Sequence, residues 1–329
     1  MDDADPAVRR FVVYGAGAVG GVVGGRMFEH GHDVVLVARG DHGRAIAEHG
    51  LTVEWPEGSV TLPVPVVADA AGLTFRPGDV VLVAVKSQDT AGVVAALVDH
   101  APPDTPIVCV QNGVANEPVF LRWFRSVHGV TVMAPTEHLE PGVVRSNAAG
   151  AMALLDIGRW PSGVDDVDRH VARAFRASGF ASVPRPDIAR WKHTKLLVNL
   201  GNVVDALCPH DDDARRLMAL ARREGVAVLA AAGIDHVSTE EDRARRGDLL
   251  RQPDVPGRAR SGSSTWQSLL RGTSLEVDHL NGEIVRLGRL HGVATPVNEV
   301  LQHSARRAGA AGRAPRSVAA ADLLAIVDG

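Results

Sequence analysis

Residues 15–20 of this chain, Gly-Ala-Gly-Ala-Val-Gly, constrain its fold more than any other stretch. They follow a short apolar run, Phe11 to Tyr14, and open a helix-length segment that reaches about His30. Val34 to Ala38 then supplies a second apolar run. Strand, glycine-rich turn, helix and strand in that order make a βαβ unit of the length that carries the G-x-G-x-x-G fingerprint. Gly15 permits the tight turn out of the strand, and Gly17 lets the backbone approach a pyrophosphate. Gly20 brings the helix close to the sheet, so that its free N–H groups and dipole face the phosphates. Ala16, Ala18 and Val19 are the small and apolar residues between them. The pattern predicts a dinucleotide-binding turn rather than a plain structural one. Glycines continue at 21, 24 and 25. Because each costs helix stability, close packing of this helix is expected to compensate.

The second strand ends in Arg39, where an acidic residue would accept hydrogen bonds from a ribose 2′-OH. An arginine cannot accept them, but its planar fork suits a 2′-phosphate. NADP(H) is therefore the expected cofactor, the alternative being a surface arginine at a strand end. Further strands are expected at Leu51 to Glu54, Val60 to Val67 (interrupted by Pro63 and Pro65), Asp79 to Val85, Ile107 to Val110 and Gly129 to Met133. The runs after Asp79 and at Ile107 are continuously apolar, as strands buried on both faces of a parallel sheet are. Both end in polar residues, Lys86-Ser87 and Gln111-Asn112-Gly113. Ligands of open α/β sheets lie beyond the carboxyl ends of strands. Position alone leaves Lys86 and Asn112 equally readable as ligand contacts or as turn chemistry.

From Asp187 the texture becomes helical, with runs at Arg190 to Leu207, Ala214 to Ala232, Leu275 to His291 and Val318 to Val327. A Gly/Pro/Ser-rich stretch at 254 to 264 reads as a loop. The division is expected near residue 186, giving an N-terminal Rossmann-type doubly wound sheet over 1–186 and an all-helical domain over 187–329. Lys195 and Asn199 lie four apart and share one helical face. Ser264 is placed to cap a helix, and Glu276 follows twelve residues on. Spacing alone favours a structural ion pair for Lys195 and Glu276, with a general acid and its orienting carboxylate as the other reading. Asp278 and Asn281 read as helix-surface or second-shell groups behind Glu276. The acidic run 211–213 reads as a solvated turn or helix cap.

The chain as a whole resembles the ketopantoate reductase (2-dehydropantoate 2-reductase) family. The likeness runs in order through GAGAVGG (15–21), ARG (38–40), VKS (85–87), QNG (111–113), PGVV (141–144), WKHTKLLVN (191–199) and S-x(11)-EVDHLNG (264–282). It implies a Rossmann-type domain followed by a helical domain, with the active site in the cleft between them. The implied reaction is reduction of a 2-oxo acid ketone by NADPH. By the same likeness, Lys195 matches the lysine that protonates the developing alkoxide and Glu276 the carboxylate near it. Asn112 matches the asparagine at the nicotinamide and substrate end, and Lys86 a lysine near cofactor and substrate. Asn199 and Ser264 match groups that hold the substrate, with Asn202 beside the position of a second family asparagine. That position is Val203 here, and the family's methionine, aspartate, arginine and threonine are replaced by Thr265, Ser268, Thr273 and Leu275. These departures leave open a reductase of a different 2-oxo acid, or a catalytically silent NADP-binding protein.

The remaining composition limits the alternatives. A net charge of −4 with 22% charged residues gives no basic surplus for nucleic acid. The two cysteines, Cys109 and Cys208, lack metal-ligand spacing, so no metal site is expected and a reducing cytoplasm is the simplest compartment. The start, MDDADPAVRR, is too polar for a signal peptide, and no apolar run spans a bilayer. His138, His193 and His279 sit near matched motifs, each read first as a packing or surface histidine. The resemblance allows a homodimer built on the helical domain.

Overall fold

The computed structural model describes residues 10–253 and 262–328. The polar start through residue 9 and the expected loop from 254 through 261 lie outside the described residues. Two compact units are present. Among the described residues, the first comprises 10–112, 116–192 and 238–253, and the second 113–115, 193–237 and 262–328.

The first unit is built on a seven-stranded sheet of β1 (Arg10–Tyr14), β2 (Val34–Val37), β3 (Val66–Val67), β4 (Asp79–Val83), β5 (Ile107–Cys109), β6 (Val127–Met133) and β7 (Leu154–Arg159). Its order is β7-β6-β5-β4-β1-β2-β3, parallel except for the β6–β7 pair. The six parallel strands thus have the 3-2-1-4-5-6 order of a dinucleotide-binding sheet. Alternate residues enter two separate cores. Phe11, Val13, Val80 and Leu82 pack on one face with α1 (Ala18–Glu29) and α5 (Asp166–Ala177). Val12, Val81 and Val83 pack on the other with α3 (Thr90–His100) and Phe120. Burial on both faces is why these strands read as unbroken apolar runs.

The expected strand Val60 to Val67 divides. Gly58–Leu62 joins a separate four-stranded sheet with Leu51–Trp55, Val143–Ser146 and Thr136–Glu140, while Val66–Val67 forms the edge of the main sheet. Pro63 and Pro65 lie between the two pieces and lack the N–H that a continuous ladder needs. The small sheet packs on α1 from the side away from the main sheet, which resolves the excess of glycine there. A Cβ on Gly24 would stand 2.6 Å from Leu36, whereas one on Gly21 would stand 2.6 Å from Val144 and one on Gly25 2.6 Å from Val53. Glycine lets one helix lie close to two sheets at once.

The second unit is helical: the end of α6 (Ile188–Asn199), α7 (Asn202–Leu207), α8 (Asp212–Ala231), α10 (Ser264–Leu270), α11 (Asn281–His291), α12 (Pro296–Ala310) and α13 (Ala320–Asp328). Asp211 caps α8 by accepting the Ala214 N–H, as the acidic run suggested. The run from Arg190 to Leu207, expected to be helical, is divided at Leu200-Gly201 into α6 and α7. There the buried Asn281 amide donates to the Leu200 carbonyl (3.1 Å) and to Asn298 Oδ1 (3.0 Å). The Leu275 to His291 run is likewise interrupted. A 3₁₀ turn at Val277–His279 precedes α11, so Glu276 and Asn281 do not share one helix, and Asn281 is core rather than helix surface. The segment between α8 and α10 returns to the first unit. Arg245 of α9 (Thr239–Arg246) there makes two hydrogen bonds, 2.6 and 2.8 Å, to the fully buried Asp156 of β7. Among the described residues, no helix is long and apolar enough to cross a membrane.

Candidate active site

In the first unit every expected ligand-binding residue stands beyond the carboxyl end of a parallel strand. Gly15 follows β1 with φ +100°, and a Cβ on it would stand 2.7 Å from Val85. A Cβ on Gly20 would stand 2.0 Å from the Gly15 carbonyl oxygen. Gly17 is different: its φ of −67° suits any residue, and no atom lies within 4 Å of its absent Cβ. The fold requires glycine at 15 and 20. At 17 the small residue instead keeps open the space before the α1 N-terminus, which Gly17 caps without any side-chain hydrogen bond. Ala16, Ala18 and Val19 complete this turn.

Arg39 follows β2 and Ala38 as the N-cap of α2 (Gly40–His49). Its side chain is 83% exposed and reaches Asp89 at 3.3 Å, a partner itself 43% exposed. Such a surface pair is weak, so the guanidinium remains available to a stronger anion.

Lys86 and Asn112 follow β4 and β5, and a buried polar network ties their loops together. The Gln111 amide donates to Val85 O (2.9 Å) and Thr90 Oγ1 (3.0 Å), and Thr90 donates to Asn116 Oδ1 (2.9 Å). Asn116 in turn donates to Ser87 Oγ (3.2 Å) and to the Asn112 carbonyl (3.0 Å). Gln111, Thr90 and Asn116 were not singled out from sequence, although amides and hydroxyls directly after apolar strands are the available signal. Beneath the network, Lys192 donates to the carbonyls of Gln111 (2.8 Å) and Val130 (3.1 Å) and lies 2.8 Å from Glu117 of α4 (Glu117–Phe120). Burial pushes the Glu117 carboxyl above its usual range, and Lys192 offsets only part of that shift.

In the second unit, Lys195 and Asn199 lie one turn apart on α6, Lys195 half-buried and Asn199 buried. Asn202 begins α7, and its carbonyl accepts a hydrogen bond from Ser263 Oγ at 3.0 Å. Ser263, not Ser264, caps α10: its hydroxyl accepts the Trp266 N–H, and its own N–H donates to Asp205 at 2.6 Å. The two adjacent serines gave sequence reasoning no means to choose, since the chain enters the helix one residue earlier. Ser264 is the exposed first residue of α10, close along the chain to the tie that joins α10 to α7. Glu276 directly precedes the Val277–His279 turn, and Asp278 there accepts from Gln302 and Arg306 of α12 (2.7 Å each). Gly113, with φ +78°, stands where a Cβ would be 3.1 Å from the His279 carbonyl oxygen.

The departures from the resemblance are accounted for within this unit. Val203 is fully buried core, and Ser268 spends its hydroxyl on the Ser264 carbonyl (2.9 Å). Thr273 is exposed, Leu275 packs near Gly309, and Thr265 is buried in α10. Of the three histidines, His193 is buried in α6, His279 lies in the turn, and His138 packs on His42 with ring centroids 4.1 Å apart.

One group among the described residues has metal-ligand proximity, His128 with Asp165 and Asp168. Its atoms are already engaged: His128 pairs with Asp168 (2.7 Å) and Ser126 (2.8 Å), and the two aspartates form the capping box of α5.

The family model described as ketopantoate reductase PanE/ApbA matches residues 11–161, and its C-terminal counterpart matches residues 187–308. The 2-dehydropantoate 2-reductase of Halobacterium salinarum is 32% identical over 316 residues, spanning 91% of this chain and 98% of that one. Among solved structures, a PanE/ApbA family ketopantoate reductase from Ralstonia eutropha is 28% identical with a TM-score of 0.78, covering 92% of this chain and 99% of its own. D-mandelate dehydrogenase, in its ternary structure with NADH and anilino(oxo)acetate, is 21% identical with a TM-score of 0.79, covering 92% and 99%, a likeness of fold. Matched along both units in order, the chain belongs to the ketopantoate reductase family of oxidoreductases.

Proposed function

We propose that this enzyme reduces the ketone of a 2-oxo acid with NADPH, and that its substrate is 2-dehydropantoate, giving pantoate. The observation that carries the reading is family membership over both units, supported by Lys195 and Glu276 matching the family's catalytic lysine and carboxylate and Asn199 a substrate-holding group. The cofactor would be held within residues 1–186 and the catalytic groups within 187–329. Gly15 to Gly20 fit a pyrophosphate, because the open flank of Gly17 and the uncapped α1 N-terminus offer N–H donors to an anion. The exposed Arg39 fork suits the 2′-phosphate that distinguishes NADP from NAD.

The bound nicotinamide supplies the hydride. The protein's part is electrostatic and protonic. Negative charge builds on the ketone oxygen as its carbon gains hydride, and the Lys195 ammonium stabilises that charge and donates the proton. The neutral amine left behind is reprotonated from solvent, with Glu276 favouring the charged form. Asn112, Asn199, Asn202 and Ser264 bind the acid's carboxylate and hydroxyl, and Lys86 adds positive charge near the cofactor. The reading assigns the enzyme to a reducing cytoplasm and to homodimers.

A second reading, reduction of a different 2-oxo acid, is favoured by one observation. Val203, a buried apolar residue, presents no amide. A site that lacks a polar partner discriminates differently among hydroxylated substrates.

The test is NADPH oxidation with 2-dehydropantoate and a panel of other 2-oxo acids. Turnover of 2-dehydropantoate should fall about 10²- to 10⁴-fold in Lys195→Ala, with NADPH binding retained. Arg39→Ala should weaken NADPH by roughly 10- to 100-fold and leave NADH unchanged. Activity confined to another acid would transfer the assignment to the second reading, and NADPH binding without turnover of any acid would make the chain a silent binding protein.

A further inference from the structure

The peptide that joins Ala16 to Gly17 is held from behind by α2. His42, in the first turn of α2, brings Nε2 to 2.7 Å from the Ala16 carbonyl oxygen and Nδ1 to 2.9 Å from the Gly142 amide nitrogen. A backbone N–H can only donate, so Nδ1 is the acceptor of that bond and the ring proton resides on Nε2, which donates to Ala16. The two contacts together select one neutral tautomer. Burial acts in the same direction, lowering the His42 pKa, and the His138 ring covers one side of the imidazole. The approach depends on the next residue: a Cβ on Gly43 would stand 2.1 Å from the Ala38 carbonyl oxygen, so only glycine lets α2 come this close to the end of β2.

In a trans peptide the carbonyl and the following N–H point in opposite directions. Holding the Ala16 oxygen toward α2 therefore turns the Gly17 N–H away from it, at the residue whose flank is open. We propose that His42 is a positioning residue for the dinucleotide: by clamping the Ala16 carbonyl it fixes the Gly17 N–H as a donor to the pyrophosphate. The inference rests on the cofactor reading above and adds to it a residue outside the glycine fingerprint.

Two variants separate the clamp from a purely structural tie between α2 and the turn at Gly142. In His42→Gln the side-chain amide reaches the Nε2 position and keeps the donor to Ala16. In His42→Asn the amide reaches only the Nδ1 position, which keeps an acceptor for Gly142 and loses the donor. The probe is NADPH, its Kd read by fluorescence on the full chain, with kcat at saturating cofactor and the melting temperature of the free protein as companions. The expected result is a Kd raised about 3- to 10-fold in His42→Asn, as one hydrogen bond warrants, with kcat unchanged. His42→Gln should stay within about twofold of the parent. Wild-type Kd in His42→Asn overturns the proposal, and so does a Kd as weak in His42→Gln as in His42→Asn. Failure of the parent protein to bind either NADPH or NADH would overturn the cofactor reading, and the clamp with it.

Discussion

Two lysines lie three residues apart in WKHTKLLVN, Lys192 buried and Lys195 half-buried. Lys192 is 2% exposed beside a Glu117 that is fully buried, and it also satisfies the Gln111 and Val130 carbonyls. A structural ion pair is present on this helix at Lys192, a residue the sequence reading did not single out. Sequence did not reveal it because its partner lies 75 positions earlier, in a four-residue helix with no periodic signal of its own. A Cβ on Gly129 would stand 3.0 Å from Lys192 and 3.1 Å from Glu117, so glycine there leaves the pair its room. Removing one member of a buried pair strands the other, at a cost of about 3–5 kcal/mol. Lys192→Met is expected to lose that much in urea denaturation, and the double variant Lys192→Met/Glu117→Leu to regain a large part of it. A loss below about 1 kcal/mol in the single variant would remove the pair's structural role.

At the scale of elements, helical glycines carry opposite signs according to what faces them. A Cβ on Gly21 of α1 would meet Val144 at 2.6 Å and the Ala16 carbonyl oxygen at 2.7 Å. Gly21→Ala is therefore expected to destabilise by about 1–3 kcal/mol through overpacking. Gly92 of α3 is exposed, with nothing within 4 Å of the corresponding position. Gly92→Ala is expected to stabilise by about 0.5–1 kcal/mol. Denaturant midpoints of the two proteins check both signs, and a stabilised Gly21→Ala would mean that α1 is not held between two sheets. The central strands of the main sheet, β1, β2, β4 and β5, were legible because burial on two faces leaves a continuous apolar run, whereas β7, whose run carries Asp156 and Gly158, was not. Thr136–Glu140 and Val143–Ser146 escaped notice because TEHLE and VVRS are short and show neither a continuous apolar run nor strict alternation. The break between α6 and α7 escaped for another reason: the side chain bonded to the carbonyl at the break, Asn281, lies some eighty residues later.

For the molecule as a whole, pH should act in separable stages. Burial lowers the pKa of His42, and burial with the neighbouring His170 and His30 lowers that of His32. The unfolded chain takes up protons near pH 6.5 that these rings refuse in the fold. Stability is then fully present above about pH 6.5 and declines as pH falls from there toward the folded-state values. Asp165 and Asp205 resist burial through partners, His128 and Arg159 for the first, Ser263, His210 and Arg316 for the second, and their pKa values end lowered. Their contribution is held above about pH 4 and lost below it. Glu117, raised by burial, works in the opposite sense as pH falls toward its unfolded value. Melting temperature measured from pH 8 to 3 should therefore fall first below about 6.5 and again below about 4. His42→Gln should flatten the first stage, and an unchanged curve would count against a buried neutral His42. The sequence by itself determined the doubly wound sheet, the glycine turn, the helical second unit and the family, because each is written in local spacing or in motifs kept in order. Tertiary structure alone decided that Lys192 meets the buried Glu117, which serine caps α10 and how α2 grips the Ala16 carbonyl. Those outcomes depend on contacts between residues far apart in the chain, where burial, rather than residue type, sets what a polar group must do.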